Sequence, residues 1–224
     1  MDNLKFSFGN RKVKELGRVQ GVKSCSFDLP AGYTCPMADI CQSFANKETG
    51  KITDGANCQF RCYAASLEAA FKPTRALHWY NFELLKGKSK SEMVELIQSS
   101  LPPKVGIIRI HSSGDFFNED YFNAWVEVTR NNPHIRFFAY TKVLNYVSAD
   151  TPDNFKLVYS YGGKMDNELS SEPVAYVTRT LEQAIELGVP VSCEDNPVDD
   201  FDYIMAGKSF ALMLHGTQPA GRGK

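Results

Sequence analysis

The chain has 224 residues, 43% hydrophobic and 23% charged, a balance that excludes a disordered polymer and provides for a sizeable core. Its 25 basic and 26 acidic side chains leave a net charge of -1, so no overall field draws it to nucleic acid or to anionic lipid. No Pro/Gly/Ser-rich linker divides it, and residues 1–224 are read as one domain.

Residues 1–23 form a polar, basic N-terminal segment without the apolar run of a signal peptide, and no apolar stretch approaches the ~20 residues that span a bilayer. A cytoplasmic protein without a membrane partner is expected. Residues 24–29 are a strand candidate ended by Pro30. A cysteine-bearing loop over 31–62 follows, polar up to residue 57, with turn signals at Ala31-Gly32 and Asp54-Gly55, and an Ala/Leu/Glu helical pattern covers 60–70. Residues 77–85 and 92–101 are also helical, the second closed by Pro102-Pro103. Residues 105–111 are a nearly continuous β-branched run of the kind buried on both faces of a sheet. Residues 118–130 set Tyr121, Phe122, Trp125, Val126 and Val128 at mostly helical spacing. Five more strand candidates follow at 135–141, 156–161, 174–178, 189–193 and 209–214, with a helix at 181–187 and a flexible tail at 218–224. This alternation predicts an α/β fold with mostly parallel strands, a partial or complete (β/α) barrel, whose chemistry sits on loops at the carboxyl ends of the strands.

Five of the six cysteines fall between Cys25 and Cys62, with Cys193 far away. A reducing cytoplasm keeps such thiols free, so their crowding points to metal binding rather than to disulfides. Cys35 and Cys41 follow the first strand and Cys62 opens the next helix, which places all three at the expected functional edge. Thiolates hold either zinc or iron-sulfur clusters. Structural zinc favours close pairs; Cys58 and Cys62 fit, Cys35 and Cys41 do not, and a zinc site on Cys35, Cys41, Cys58 and Cys62 is the alternative. Scattered core thiols are the bland reading.

Three further strand ends are polar: the segment from His111 to Phe117, Tyr140-Thr141-Lys142, and Tyr161-Gly162-Gly163-Lys164; His215-Gly216-Thr217 ends the last strand. Four on one edge suggest a lined pocket, with His111, Ser113, Asp115, Tyr140 and Lys142 as candidate ligand-orienting residues. The plain alternatives are a turn in which Asp115 or Asn118 caps the next helix, a solvated Lys142, and a capping or core His215.

The strings Ser26-Phe27-Asp28-Leu29-Pro30-Ala31-Gly32 with Thr34-Cys35-Pro36 and Cys41, Arg61-Cys62-Tyr63-Ala64, Arg109-Ile110-His111 with Ser113-Gly114-Asp115-Phe116-Phe117, and Phe138-Ala139-Tyr140-Thr141-Lys142 resemble the bacteriophage family called gene product eighty-eight. That family is similar, distantly, to radical S-adenosylmethionine enzymes, and the resemblance implies a barrel like their core. It also implies a [4Fe-4S] cluster on Cys35, Cys41 and Cys62, with Ser113, Gly114 and Asp115 standing where those enzymes hold a methionyl amine. In those enzymes the cysteines sit in one compact motif, whereas twenty residues separate Cys41 from Cys62 here, so the resemblance implies the cluster more directly than S-adenosylmethionine. A further ligand is sought in Cys25, Cys58, Asp28 or Asp39, and Cys193 reads as a buried free thiol.

The expectation is therefore a phage-encoded iron-sulfur protein of the infected host's cytoplasm, its three-cysteine cluster leaving one iron open to a small ligand or substrate. A radical or redox enzyme fits that description. The alternative is a non-catalytic redox or structural cluster, or a zinc module, that engages a host protein. Nucleic acid is not an expected partner.

Overall fold

The computed structural model describes residues 2–147, 151–192, 199–215 and 218. A first helix, α1 (Arg11–Val19), leads into β1 (Lys23–Phe27), and a small hairpin, β2 (Ser43–Ala45) with β3 (Ile52–Asp54), interrupts the cysteine-bearing loop. Three helices follow, α2 (Tyr63–Ala70), α3 (Lys72–Leu85) and α4 (Lys90–Ser100), before β4 (Val105–Ile110), α5 (Glu119–Asn131), β5 (Arg136–Thr141) and β6 (Phe155–Ser160). The chain ends with β7 (Val174–Thr178), α6 (Leu181–Glu186), β8 (Val191–Ser192), α7 (Asp199–Met205) and β9 (Phe210–Met213).

Local chemistry sets several of these boundaries. Ser89 and Glu92 close a reciprocal capping box that starts α4. The Asn118 side chain accepts from the Tyr121 amide at 2.8 Å and starts α5. Seven strands form one sheet in the order β1-β4-β5-β6-β7-β9-β8, with every neighbouring pair parallel. Among the described residues nothing joins β8 back to β1, so the barrel is partial, a half-barrel.

The sheet is buried on both faces, as its apolar strands require. Because side chains alternate along a strand, Ile108, Ile110, Phe137 and Ala139 pack with Met93 and Ile97 of α4 and Tyr121 and Trp125 of α5. Ile107 and Phe138 instead join Leu16 of α1 and Phe201 and Ile204 of α7.

Two sequence expectations need correction. The N-terminal segment is more than a polar lead. Val13, Leu16 and Gly17 of α1 are buried, and Ser7 exchanges backbone hydrogen bonds with Ser26 at 2.8 and 2.9 Å, covering the free edge of β1. The region 31–62 carries the β2/β3 hairpin rather than continuous loop. Of the expected tail, Gln218 is held on the backbone of Arg61 (2.8 and 3.2 Å), and the remainder lies outside the described residues.

Candidate functional site

The carboxyl ends of four strands are bonded to one another in sequence. Asp28, just past β1, takes the Ser112 and Ser113 amides on Oδ1 (2.6 and 3.1 Å) and the Ser26 hydroxyl on Oδ2 (2.6 Å), pinning the loop after β4. Gly114 in that loop has φ 87°, and a Cβ there would lie 2.6 Å from Thr34 Oγ1 and 2.8 Å from Leu29 Cβ, so only glycine lets the two loops meet. Asp115 Oδ1 accepts from the Phe116 amide and the Thr141 hydroxyl (both 2.8 Å), and its Oδ2 accepts from the Lys142 amide (2.9 Å), joining β4 to β5. Lys142 Nζ donates to Ser160 O, to Ser160 Oγ (3.0 Å) and to Tyr161 O (2.7 Å), joining β5 to β6.

The cysteine-bearing loop lies on this edge. Ala38 bridges Gly163, the Ile40 amide donates to Gly162 O at 3.2 Å, and the Lys164 amide donates to Met37 O at 2.9 Å. Cys35 and Cys41 are thereby carried to the β5 and β6 ends, and Cys62 stands as the N-cap residue of α2.

Burial is the largest influence on all three thiols, and each feels its neighbours. The Cys35 thiol is pushed far up by burial, then by Asp115, Cys62 and Cys41. Cys62 is pushed to about 12 by burial and Cys41, while the amides of Ala65 and Ala64 favour its thiolate. Cys41 is raised by burial, then by Cys58 and Asp115, while the Lys142 ammonium favours its thiolate. The three thiols therefore share one field and stay protonated until something binds them.

The other expected residues divide. Cys58 is buried beside Cys41, with its Sγ donating to Phe60 O at 3.2 Å. Cys25 lies apart in the core between β1 and β4, burial pushing it to about 12. Asp28 is consumed by the bonds above, and Asp39 Oδ1 holds Asn57 at 2.7 Å. His111 is a core residue bonded through Nε2 to Tyr121 OH at 2.9 Å. The Tyr140 hydroxyl reaches Asp200 of α7 at 2.8 Å, and its ring takes Arg109 at 4.8 Å, so it belongs to the face covered by α1 and α7. His215 is exposed against the Tyr63 ring; Gly216, Thr217 and Cys193 lie outside the described residues. Asn118, not Asp115, caps α5, and Lys142 is buried rather than solvated.

Sequence reasoning missed Glu68 and His78. Glu68 is fully buried, and its Oε1 accepts from the Ala31 amide (2.9 Å), Ser113 Oγ (2.8 Å) and His78 Nδ1 (2.8 Å). The available signal was position, since Glu68 shares its helix face with Ala64. Among the described residues no three His, Cys, Asp or Glu side chains are gathered about a single point so as to hold one metal ion. No helix among them is long and apolar enough to cross a membrane.

A family model described as Gene product 88 matches residues 4–223. The chain is 30% identical over 193 residues to the Gene 88 protein of Mycobacterium phage L5, covering 76% of this chain and 73% of that protein. It is 29% identical over 208 residues to the Gene 88 protein of Mycobacterium phage D29, covering 81% and 77%. No solved structure matches it.

Proposed function

We propose that this chain, which belongs to the bacteriophage Gene product 88 family, is an iron-sulfur protein in which Cys35, Cys41 and Cys62 hold a [4Fe-4S] cluster and one iron carries no thiolate. The observation that carries the reading is the convergence of three desolvated thiols, each within the field of another, on an edge where four strand ends are tied together. Bound there, the cluster supplies redox-active iron and one iron open to exchange of a small ligand. The donors suit it, because soft thiolates select iron-sulfur clusters or zinc. A tetrahedral zinc needs its donors about 2.3 Å from one point, and no three of the described side chains are arranged in that way. A four-iron cluster spreads its thiolates further apart.

The chain's own groups prepare the site. The amides that open α2 favour the Cys62 thiolate, and Lys142 favours that of Cys41. Lys142 satisfies its three protons on uncharged oxygens of β6 and its following loop, so its charge is free to offset an anionic cluster. Ser113 and Asp115 are already bonded to Glu68, Thr141 and Lys142, which supports a bracing role and counts against their receiving a methionyl amine.

Protein purified without oxygen should be brown and contain about four irons and four acid-labile sulfides per chain. Replacing Cys35, Cys41 or Cys62 with Ser should each remove the cluster, while Cys25→Ser should leave iron content nearly unchanged. Colourless protein with one tightly held zinc would overturn the reading in favour of the zinc module. A loaded cluster whose paramagnetic resonance ignores added cyanide or thiol would mark a closed redox or structural centre.

A further inference from the structure

The buried carboxylates around the thiols differ in how many donors they receive. Asp28 and Asp115 each take three, divided over both oxygens. Asp39 lies nearer the surface and bonds Asn57. Glu68 is the unfinished one: Oε1 takes three donors, whereas Oε2, equally buried, takes none among the described residues. Leaving a buried acceptor unfilled costs about 1–3 kcal/mol, and more for a charged one. Native proteins fill such atoms with a water, an ion or a ligand.

Its surroundings say which. Glu68 lies six residues after Cys62 on α2 and its charge acts on that thiol. Through Oε1 it is tied to Ala31, which opens the cysteine-bearing loop, and to Ser113, in the loop after β4. His78 of α3 bonds the same oxygen, and Arg75 Nη1 donates to the Glu68 carbonyl. The carboxylate is therefore clamped by one oxygen, while the other, equally buried, has no donor among the described residues.

We propose that Glu68 Oε2 is the oxygen donor to the iron that no thiolate holds, which rests on the cluster reading above. The site at rest is then ligated by Cys35, Cys41, Cys62 and Glu68. A ligand taking that position would exchange one iron–oxygen bond for its own bond to iron, without electron transfer, and the carboxylate would keep its charge and its Oε1 clamp.

The test uses anaerobically purified full-length protein grown with glutamate labelled by carbon-13 at the side-chain carboxyl, with iron and sulfide measured first. In the dithionite-reduced wild type, electron-nuclear double resonance should show a carbon-13 coupling to the cluster. Glu68→Gln should lose that coupling at unchanged iron content and bind cyanide roughly ten-fold or more tightly. Ser113→Ala, which removes only a donor to Oε1, should keep it. Wild type without iron overturns the cluster reading and this one together. A loaded wild type without the coupling overturns the Glu68 assignment alone and gives Oε2 to a buried water. Should Glu68→Gln fail to fold, the wild-type coupling decides.

Discussion

At the scale of single residues, two buried groups near the end of β4 drive stability in opposite directions with pH. Burial, with the charges of Arg109 and His78, holds His111 down at about 3 from its ordinary 6.5. The unfolded chain therefore takes up a proton that the folded one refuses, and this stability is complete above pH 6.5 and is lost as pH falls toward 3. Burial raises Asp115 to about 6 from 3.8, against hydrogen bonds from Lys142, Thr141 and Phe116. Its folded form keeps a proton the unfolded one has released, so its cost is absent below 3.8 and complete above 6. At ~1.4 kcal/mol per pH unit of displacement, the histidine contributes on the order of 5 kcal/mol against about 3 for the aspartate. Between pH 6.5 and 4 the two nearly offset each other, on the order of 3 kcal/mol lost against 2 regained, so the urea midpoint of metal-free wild type should fall only slightly there. In His111→Gln the trend over that interval should flatten or reverse, and an acid limb unchanged by the substitution would assign the loss to other groups. The placement of Asp115 and Lys142 at the carboxyl edge of the sheet was legible in the sequence because both follow strand-forming runs. Glu68 was not, because a glutamate in an Ala/Leu/Glu helix reads as a solvated face until tertiary packing buries it.

Elements with strong periodicity were legible nearly to their ends. The β-branched or aromatic runs that became β4, β5, β6 and β7 leave little choice of conformation. The β2/β3 hairpin was not legible, because Ser-Phe-Ala and Ile-Thr-Asp are too short to show a period. Neither were α1 and α7: one hides two buried apolar residues among four basic ones, and the other is seven residues long. What orients the cysteine-bearing loop is equally invisible in sequence, since it depends on contacts far along the chain. Gly114 is one such contact. Gly114→Ala would place a methyl group against Thr34 and Leu29 at φ 87°, a strain on the order of 1–3 kcal/mol. It should lower the denaturation midpoint accordingly and release the loop that carries Cys35, and iron content per chain should fall with it. Full cluster occupancy in a folded Gly114→Ala would show that the loop docks without this contact.

Over the whole molecule, the proposed site lies in the connections laid across the carboxyl edge of the sheet and in the first turns of α2. A cluster bound by Cys35, Cys41 and Cys62 would therefore tie the cysteine-bearing loop to α2 and act as a cross-link that the unfolded chain lacks. Binding at a thousand times its dissociation constant contributes about 4 kcal/mol, which for a chain of this size is roughly 8–16 °C in Tm. Oxidative removal of the cluster should lower Tm by about that amount in wild type and not at all in Cys62→Ser; equal values for loaded and stripped wild type would place the metal outside the folding unit. The strand order carries a last consequence, for synthesis. β8 is made before β9, yet among the described residues β9 is the only strand it pairs with, and β9 is also the partner of β7. A chain ending at Ser192 would thus leave the outer rim of β7 bare and carry β8 with nowhere to dock, and this part of the half-barrel is finished only by inserting β9 between two strands made before it.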